Sequence, residues 1–235
     1  MVERARKTEK LAALRAAVPH TIPILTSFLV LGMAYGVLMS SKGYGPLWSG
    51  LFSALAFCGS MQYAAITLLT AAFDPLGAFL LSFMVNARHL FYGISLLKKY
   101  SGLGAFRPFL IYTLCDETFS VVATVDPPEE VDRRWFYFFI SLLDWLYWIT
   151  GSVLGGVAGS LITFNTTGMD FALTAMFVVL FLEQMLKPAK RRAGIMGFAC
   201  TVAALVAFGA NNMVIPAMVL ILVLLLLGGG RHEAE

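Results

Sequence analysis

Four stretches without Asp, Glu, Lys or Arg constrain this chain more than anything else in it. They are Thr21–Ser41 with 21 residues, Gly43–Phe73 with 31, Trp145–Met169 with 25 and Ala193–Gly230 with 38. About 20 apolar residues are enough for a helix to cross the hydrocarbon core of a bilayer. Hydrophobic residues make up 59% of the sequence and charged ones 13%, where soluble domains carry roughly a quarter charged. The apolar runs are continuous, neither alternating at period two nor keeping heptads, which excludes a membrane barrel and a coiled coil. The fold class is therefore an all-α polytopic membrane protein with about six to eight transmembrane segments. With no sizeable polar stretch between spans, a single transmembrane helical domain at 19–230 is expected. It lies between a cytoplasmic basic leader, 1–18, and a cytoplasmic tail, 231–235.

The expected segments are Pro19–Ser40, Leu47–Phe73, Pro75–Leu97, Pro108–Val125, Trp135–Ala158 and Phe171–Leu186, followed by the last apolar run. At 1.5 Å per residue those 38 residues would form a helix of about 57 Å, so the run must turn. Gly209-Ala210-Asn211-Asn212 is where the turn is expected. Two segments have polar centres: Leu47–Phe73 carries Gly59-Ser60-Met61-Gln62, and Pro108–Val125 carries Asp116-Glu117. Both read as broken or re-entrant helices.

The positive-inside rule arbitrates. If every segment crosses, Lys42, Lys98, Lys99 and Arg107 all lie outside; if the two polar-centred segments are re-entrant, only Lys42 does. The second arrangement fits better and puts both termini in the cytoplasm. The side on which the Lys98–Arg107 loop lies distinguishes the two.

Charged groups at bilayer depth cost at least about 2.5 kcal/mol by insertion scales, so those that occur there pair, line water or do chemistry. The set here is Arg88, His89, Asp116, Glu117 and Asp144, with Gln62, Asn86 and Ser60 as neutral companions. At helical spacing Asn86 shares a face with His89, and Arg88 shares one with Tyr92. Adjacent acids point about 100° apart on a helix, so one of Asp116 and Glu117 can bind Arg88 while the other faces a cavity. The plainer alternative is that Arg88 and Asp116 pair only to fix helix packing, with Asn86 and Gln62 as interhelical hydrogen-bond partners.

Other chemistries find little support. The sequence has no HExxH, GxSxG, P-loop or CxxCH pattern, so neither an enzyme nor a bound metal or cofactor is expected. Cys58, Cys115 and Cys200 are scattered through apolar sequence and read as packing residues. The net charge of +3 comes from clusters beside apolar runs and does not point to nucleic acid. A passive channel for small neutral solutes and a membrane-embedded enzyme remain the alternatives to a gradient-driven transporter.

The string NARHLFYGISL, Asn86 to Leu96, resembles the AzlC-type branched-chain amino acid permease family. Three further strings agree with it in order and spacing: PHTIPILTSFLVLGMAYG from Pro19, FCGSMQYAA from Phe57 and TLCDETF from Thr113. The resemblance implies a secondary transporter that exports valine, leucine, isoleucine and in some relatives methionine across the bacterial inner membrane. It also implies a small AzlD-type membrane subunit as partner. An amino acid zwitterion needs an anion site, an ammonium acceptor and an apolar pocket. Gly59, Ser60, Gln62, Asn86 and Arg88 are the candidate substrate-binding residues, and Asp116, Glu117 and His89 the candidates for proton coupling.

Overall fold

The computed structural model describes residues 2–161 except 71 and 73, together with 171, 175, 178, 181–182, 185–186, 188–209, 213, 216–217, 219–221 and 223–224. The expected segment at 171–186 and the tail at 231–235 therefore lie largely or wholly outside the described residues. Every regular element among those described is helical. The chain forms two compact units, 1–169 and 170–235. In the first, α1 spans Val2–Ser41, α2 Pro46–Leu55, α3 Gly59–Thr70, α4 Pro75–Asn86 and α5 Arg88–Leu96. A 3₁₀ turn at Gly104–Phe106 leads into α6 at Arg107–Tyr112, and α7 at Asp116–Thr124 and α8 at Arg133–Leu161 complete the unit. In the second, α9 covers Pro188–Phe208. It stops at Gly209, whose φ of +73° suits a residue without a Cβ, at the start of the expected turn. Among the described residues three helices are long and apolar enough to cross a membrane: Thr8–Ser41, Arg133–Leu161 and Arg191–Phe208.

The basic leader and the first span form one continuous helix. At 40 residues α1 is about 60 Å long, well beyond the hydrocarbon thickness, so its basic first turns project past the bilayer. It packs along α8 through small residues. A Cβ on Gly32 would lie 3.0 Å from the Ser152 nitrogen and 3.1 Å from the Gly151 Cα. Cβ atoms on Gly36 and Gly155 would collide outright with the backbones of residues 152–156 and Met33. Gly32 and Gly36 on one helix face Gly151, Gly155 and Gly159 on the other, which is the small-xxx-small spacing that lets membrane helices approach backbone to backbone.

The order of these contacts, Phe28 with Gly151, Met33 with Gly155 and Ser40 with Gly159, makes α1 and α8 parallel. At the other end Lys10 sits 4.2 Å over the Trp135 ring. Between two parallel helices the chain must return once from the Ser41 end to the Arg133 end, and α4 with α5 makes that return. Their 12 and 9 residues, joined by Ala87, give about 33 Å.

The remaining segments double back. The Tyr44 hydroxyl, before α2, donates to the Leu69 carbonyl near the end of α3 at 3.0 Å, so α2 and α3 enter and leave at one end. At the opposite end Lys99 pairs with Asp126 at 3.0 Å and Arg133 donates to the Lys99 carbonyl at 2.6 Å. The loops before α6 and after α7 thus meet. The Lys99 ammonium and then the Tyr137 hydroxyl hold the Asp126 carboxyl below the usual carboxylate range. α2 with α3 and α6 with α7 are hairpins of short helices, each broken just before the polar centre seen in the sequence.

Two outcomes test this architecture. Gly155→Val should abolish accumulation of folded protein in the membrane, whereas Gly93→Ala, where an added Cβ meets nothing, should leave it within about 1 kcal/mol. In a chain whose own cysteines are replaced by alanine, a cysteine at Ser101 should react with membrane-impermeant maleimide from the same face as one at Glu9. One at Lys42 should react from the opposite face.

Candidate functional site

Both hairpins break inside the apolar unit, and each break ends in a new helix start. α2 stops at Leu55, Ala56 leaves helical geometry at φ −122° and ψ 59°, and α3 begins at Gly59. α6 stops at Tyr112, Cys115 is extended at φ −120° and ψ −178°, and α7 begins with Asp116 and Glu117 in its first turn. Helix N-termini present unpaired N–H groups and a partial positive charge, which favours acids there.

Arg88 connects the two starts. It stands in the first turn of α5, and its guanidinium donates to Ser60 Oγ at 2.6 Å while pairing with Asp116 at 3.1 Å. The Tyr92 hydroxyl, one turn further on, donates to the same carboxylate at 2.8 Å and stacks on Phe119 at 4.3 Å. The pair is half-exposed, 39% for Arg88 and 38% for Asp116, yet Arg88 Nε is buried with no hydrogen-bond partner. The guanidinium therefore keeps one buried donor without a hydrogen-bond partner.

Around this pair Cys58 Sγ donates to Asn86 Oδ1 at 3.0 Å, and His89 Nδ1 lies 3.2 Å from the Asn86 carbonyl. The His89 ring meets Tyr92 edge-on at 5.5 Å. Ser60, Asn86, Arg88, His89 and Asp116 thus converge, with Gly59 and Glu117 beside them in the two helix starts. The expected division of the acids holds for Asp116, which takes Arg88; Glu117 forms no ion pair among the described residues.

Gln62 lies apart from this cluster. It is fully buried, donates to Ser53 Oγ at 2.9 Å and accepts from Trp148 Nε1 at 2.6 Å. Ser53 in turn donates to Ser152 at 2.7 Å. Its amide ties the α2–α3 hairpin to α8. A Cβ on Gly59 would lie 2.9 Å from the same Trp148 ring, so this glycine lets the helix start close against α8.

Sequence reasoning left Cys58 among the packing residues, although it stands two positions before Ser60 in the same break. Tyr92 was legible as a face-mate of Arg88, but its carboxylate partner was not. Trp148 gave no signal beyond aromatic enrichment.

The chain matches the family described as AzlC protein over residues 23–162. It is similar to the branched-chain amino acid transport protein AzlC of Bacillus subtilis, 46% identical over 231 residues, covering 98% of this chain and 91% of that protein. An uncharacterized membrane protein of Haemophilus influenzae is 36% identical over 208 residues, covering 88% and 85%. The inner membrane protein YgaZ of Escherichia coli is 28% identical over 197 residues, covering 79% and 76%. No solved structure matches the chain.

The ion pair predicts a non-additive mutant cycle. Arg88→Gln or Asp116→Asn alone leaves one uncompensated charge and should lower thermal stability in detergent, by about 1–3 kcal/mol for a lost charged hydrogen bond. The double variant should lose less than the two single losses combined. Strict additivity would show that the two side chains do not interact.

Proposed function

Because the chain belongs to the AzlC family, we propose that it exports branched-chain amino acids, with methionine as a further substrate, across the bacterial inner membrane. Export is driven by the proton gradient and requires a small AzlD-type membrane subunit. The observation that carries this reading is Arg88, held between the starts of two half-helices with Nε unpartnered. A guanidinium with a spare donor beside helix N-termini suits a carboxylate, which can bind in bidentate fashion. The substrate's ammonium group then falls to Asp116 or Glu117.

Ser60 and Asn86 complete the polar side of the site and Gly59 the close backbone approach. Gln62 supports it from behind through Trp148. The stacked Tyr92 and Phe119 rings offer apolar surface for a branched side chain. Asp116, Glu117 and His89 are the titrating groups assigned to coupling, since a carboxylate that releases Arg88 on protonation would free the guanidinium for substrate. The bilayer orientation follows from charge: Lys10, Lys99 and Arg133 gather at one end, and the positive-inside rule makes that end cytoplasmic. The N-terminus is then inside, and the basic residues Lys190, Arg191 and Arg192 assign the C-terminal part of the chain to the same side by the same rule.

The test is efflux of valine, leucine, isoleucine and methionine from dipeptide-loaded cells expressing the chain with and without its partner, at two external pH values. Efflux should require the partner and respond to pH. Asp116→Asn, present in the membrane in normal amount, should reduce it at least tenfold. Efflux that ignores pH and survives in both Asp116→Asn and Glu117→Gln would remove the coupling role and favour a passive facilitator.

A further inference from the structure

A second acid lies deeper in the same unit and has no part in the Arg88 cluster. Asp144 stands mid-way along α8 and is fully buried. Its Oδ2 accepts from the Thr118 hydroxyl at 2.7 Å, and Thr118 lies 3.2 Å from Cys115 Sγ. Its Oδ1 is buried without a hydrogen-bond partner. Two more unpartnered buried polar atoms lie in the same region: Ser141 Oγ, one turn earlier on the same face of α8, and the hydroxyl of Tyr100, which neighbours both Ser141 and Cys115.

Among the described residues, none supplies a compensating cation. Glu117, in the first turn of α7, is within electrostatic reach of Asp144; Cys115, just before α7, shares its Thr118 partner; and Tyr100, in the loop after α5, lies beside Cys115 and Ser141. α1 brings Ala17, Thr21 and, edge-on to the Phe136 ring, His20; α6 brings Leu110. No Lys, Arg or His among the described residues lies within 4.0 Å of the carboxyl. Nor do His, Cys, Asp and Glu side chains cluster there as they would around a metal ion. An ionised carboxylate in such a place carries a desolvation cost of several kcal/mol that one hydroxyl does not repay. A neutral carboxyl matches the geometry, because Oδ2 still accepts from Thr118 while Oδ1 carries the proton.

Glu117 links this acid to the site. It stands one residue from Asp116 and two from Cys115, and it is within electrostatic reach of Asp144 on one side and of Arg88 and Asp116 on the other. We propose that Asp144 is the internal proton store of the transporter and exchanges its proton with Glu117, which passes it to the Arg88–Asp116 pair. In that step the Oδ1–H bond of Asp144 breaks and an O–H bond forms on the Glu117 carboxylate; the Thr118 hydroxyl offsets only part of the charge left on Asp144, which draws the proton back. This assignment rests on the proton-coupled reading above and adds to it a second, sealed acid.

The experiment has two arms. Infrared difference spectra of the purified full chain in lipid, titrated through neutral pH, should show the carbonyl band of a protonated carboxylic acid. Asp144→Asn should remove that band and Asp126→Asn should leave it. A wild-type spectrum without such a band, or a band that survives Asp144→Asn, overturns the proposal whether or not the variant transports anything. In the second arm Asp144→Asn, reconstituted with the partner, should lose at least tenfold of the valine efflux driven by a pH gradient, and the remainder should no longer respond to pH. A wild-type pH response in this variant also overturns it. If wild-type protein moves no branched-chain amino acid, the transport reading fails while the infrared arm still decides the state of Asp144.

Discussion

The backbone contact between α1 and α8 determines the rest of the first unit. Two helices can lie this close only where glycines face glycines, and Gly36 and Gly155 leave no room for even one carbon. Because the contact runs in the same direction along both helices, the two are parallel. Parallel helices separated by some 90 residues of chain impose an odd number of full crossings between them, and α4 with α5 supplies one. Two further crossings would keep that parity, so it is the end-to-end contacts, Tyr44 with Leu69 and Lys99 with Asp126, that show the two remaining apolar stretches turning back. They return to the ends from which they entered, one hairpin from each end. The polar centres mark where each hairpin breaks, and the glycine spacing fixes the direction of the two long helices around them.

Broken helices inside a bilayer need partners for the backbone groups they free. At the α2–α3 break the Ala54 carbonyl accepts from Trp145 Nε1 at 3.3 Å and from the Tyr112 hydroxyl. The Tyr63 hydroxyl closes the other side by donating to the Leu31 carbonyl at 2.7 Å. These donors come from α8, the second hairpin and α3, so the two breaks stabilise one another across the interior. Arg88 completes the same logic with charge. Its guanidinium joins Ser60, in the first turn of one half-helix, to Asp116, in the first turn of the other. An arginine between two positive helix ends is poorly placed unless an anion accompanies it. Asp116 supplies that anion.

Much of this was readable from composition and spacing, because the bilayer narrows the possibilities. Continuous apolar runs gave the helices. Polar interruptions at Gly59–Gln62 and Asp116–Glu117 located both hairpins, and the distribution of Lys and Arg favoured re-entrance over full crossing. The sequence also placed Arg88 and Tyr92 on one face, where both meet Asp116. It did not reveal which polar residue serves which task. Gln62 and Ser60 are two positions apart in one string, yet one is sealed against Trp148 and the other reaches Arg88. A helix turns about 100° per residue, so adjacent polar residues look in different directions, and only the neighbouring helix decides what each one meets. The GSVLGGVAGS stretch read as composition until α1 was laid against it.

The contrast in exposure between the two acidic groups follows from what each position can tolerate. Arg88 and Asp116 are 39% and 38% exposed, which a site that admits and releases a polar solute requires, and their opposite charges stabilise one another when nothing else is bound. Asp144 is fully buried with the Thr118 hydroxyl as its partner, where solute cannot reach and a lone charge is costly. A transporter that bound solute at a sealed acid would need to open its core in every cycle; one that titrated only at the open pair would exchange protons with water freely. Separating the open ion pair from the dry acid, with Glu117 between them on the first turn of α7, lets the fold keep its glycine-packed core closed. Charge changes inside that core are then felt at the site through a single helix start.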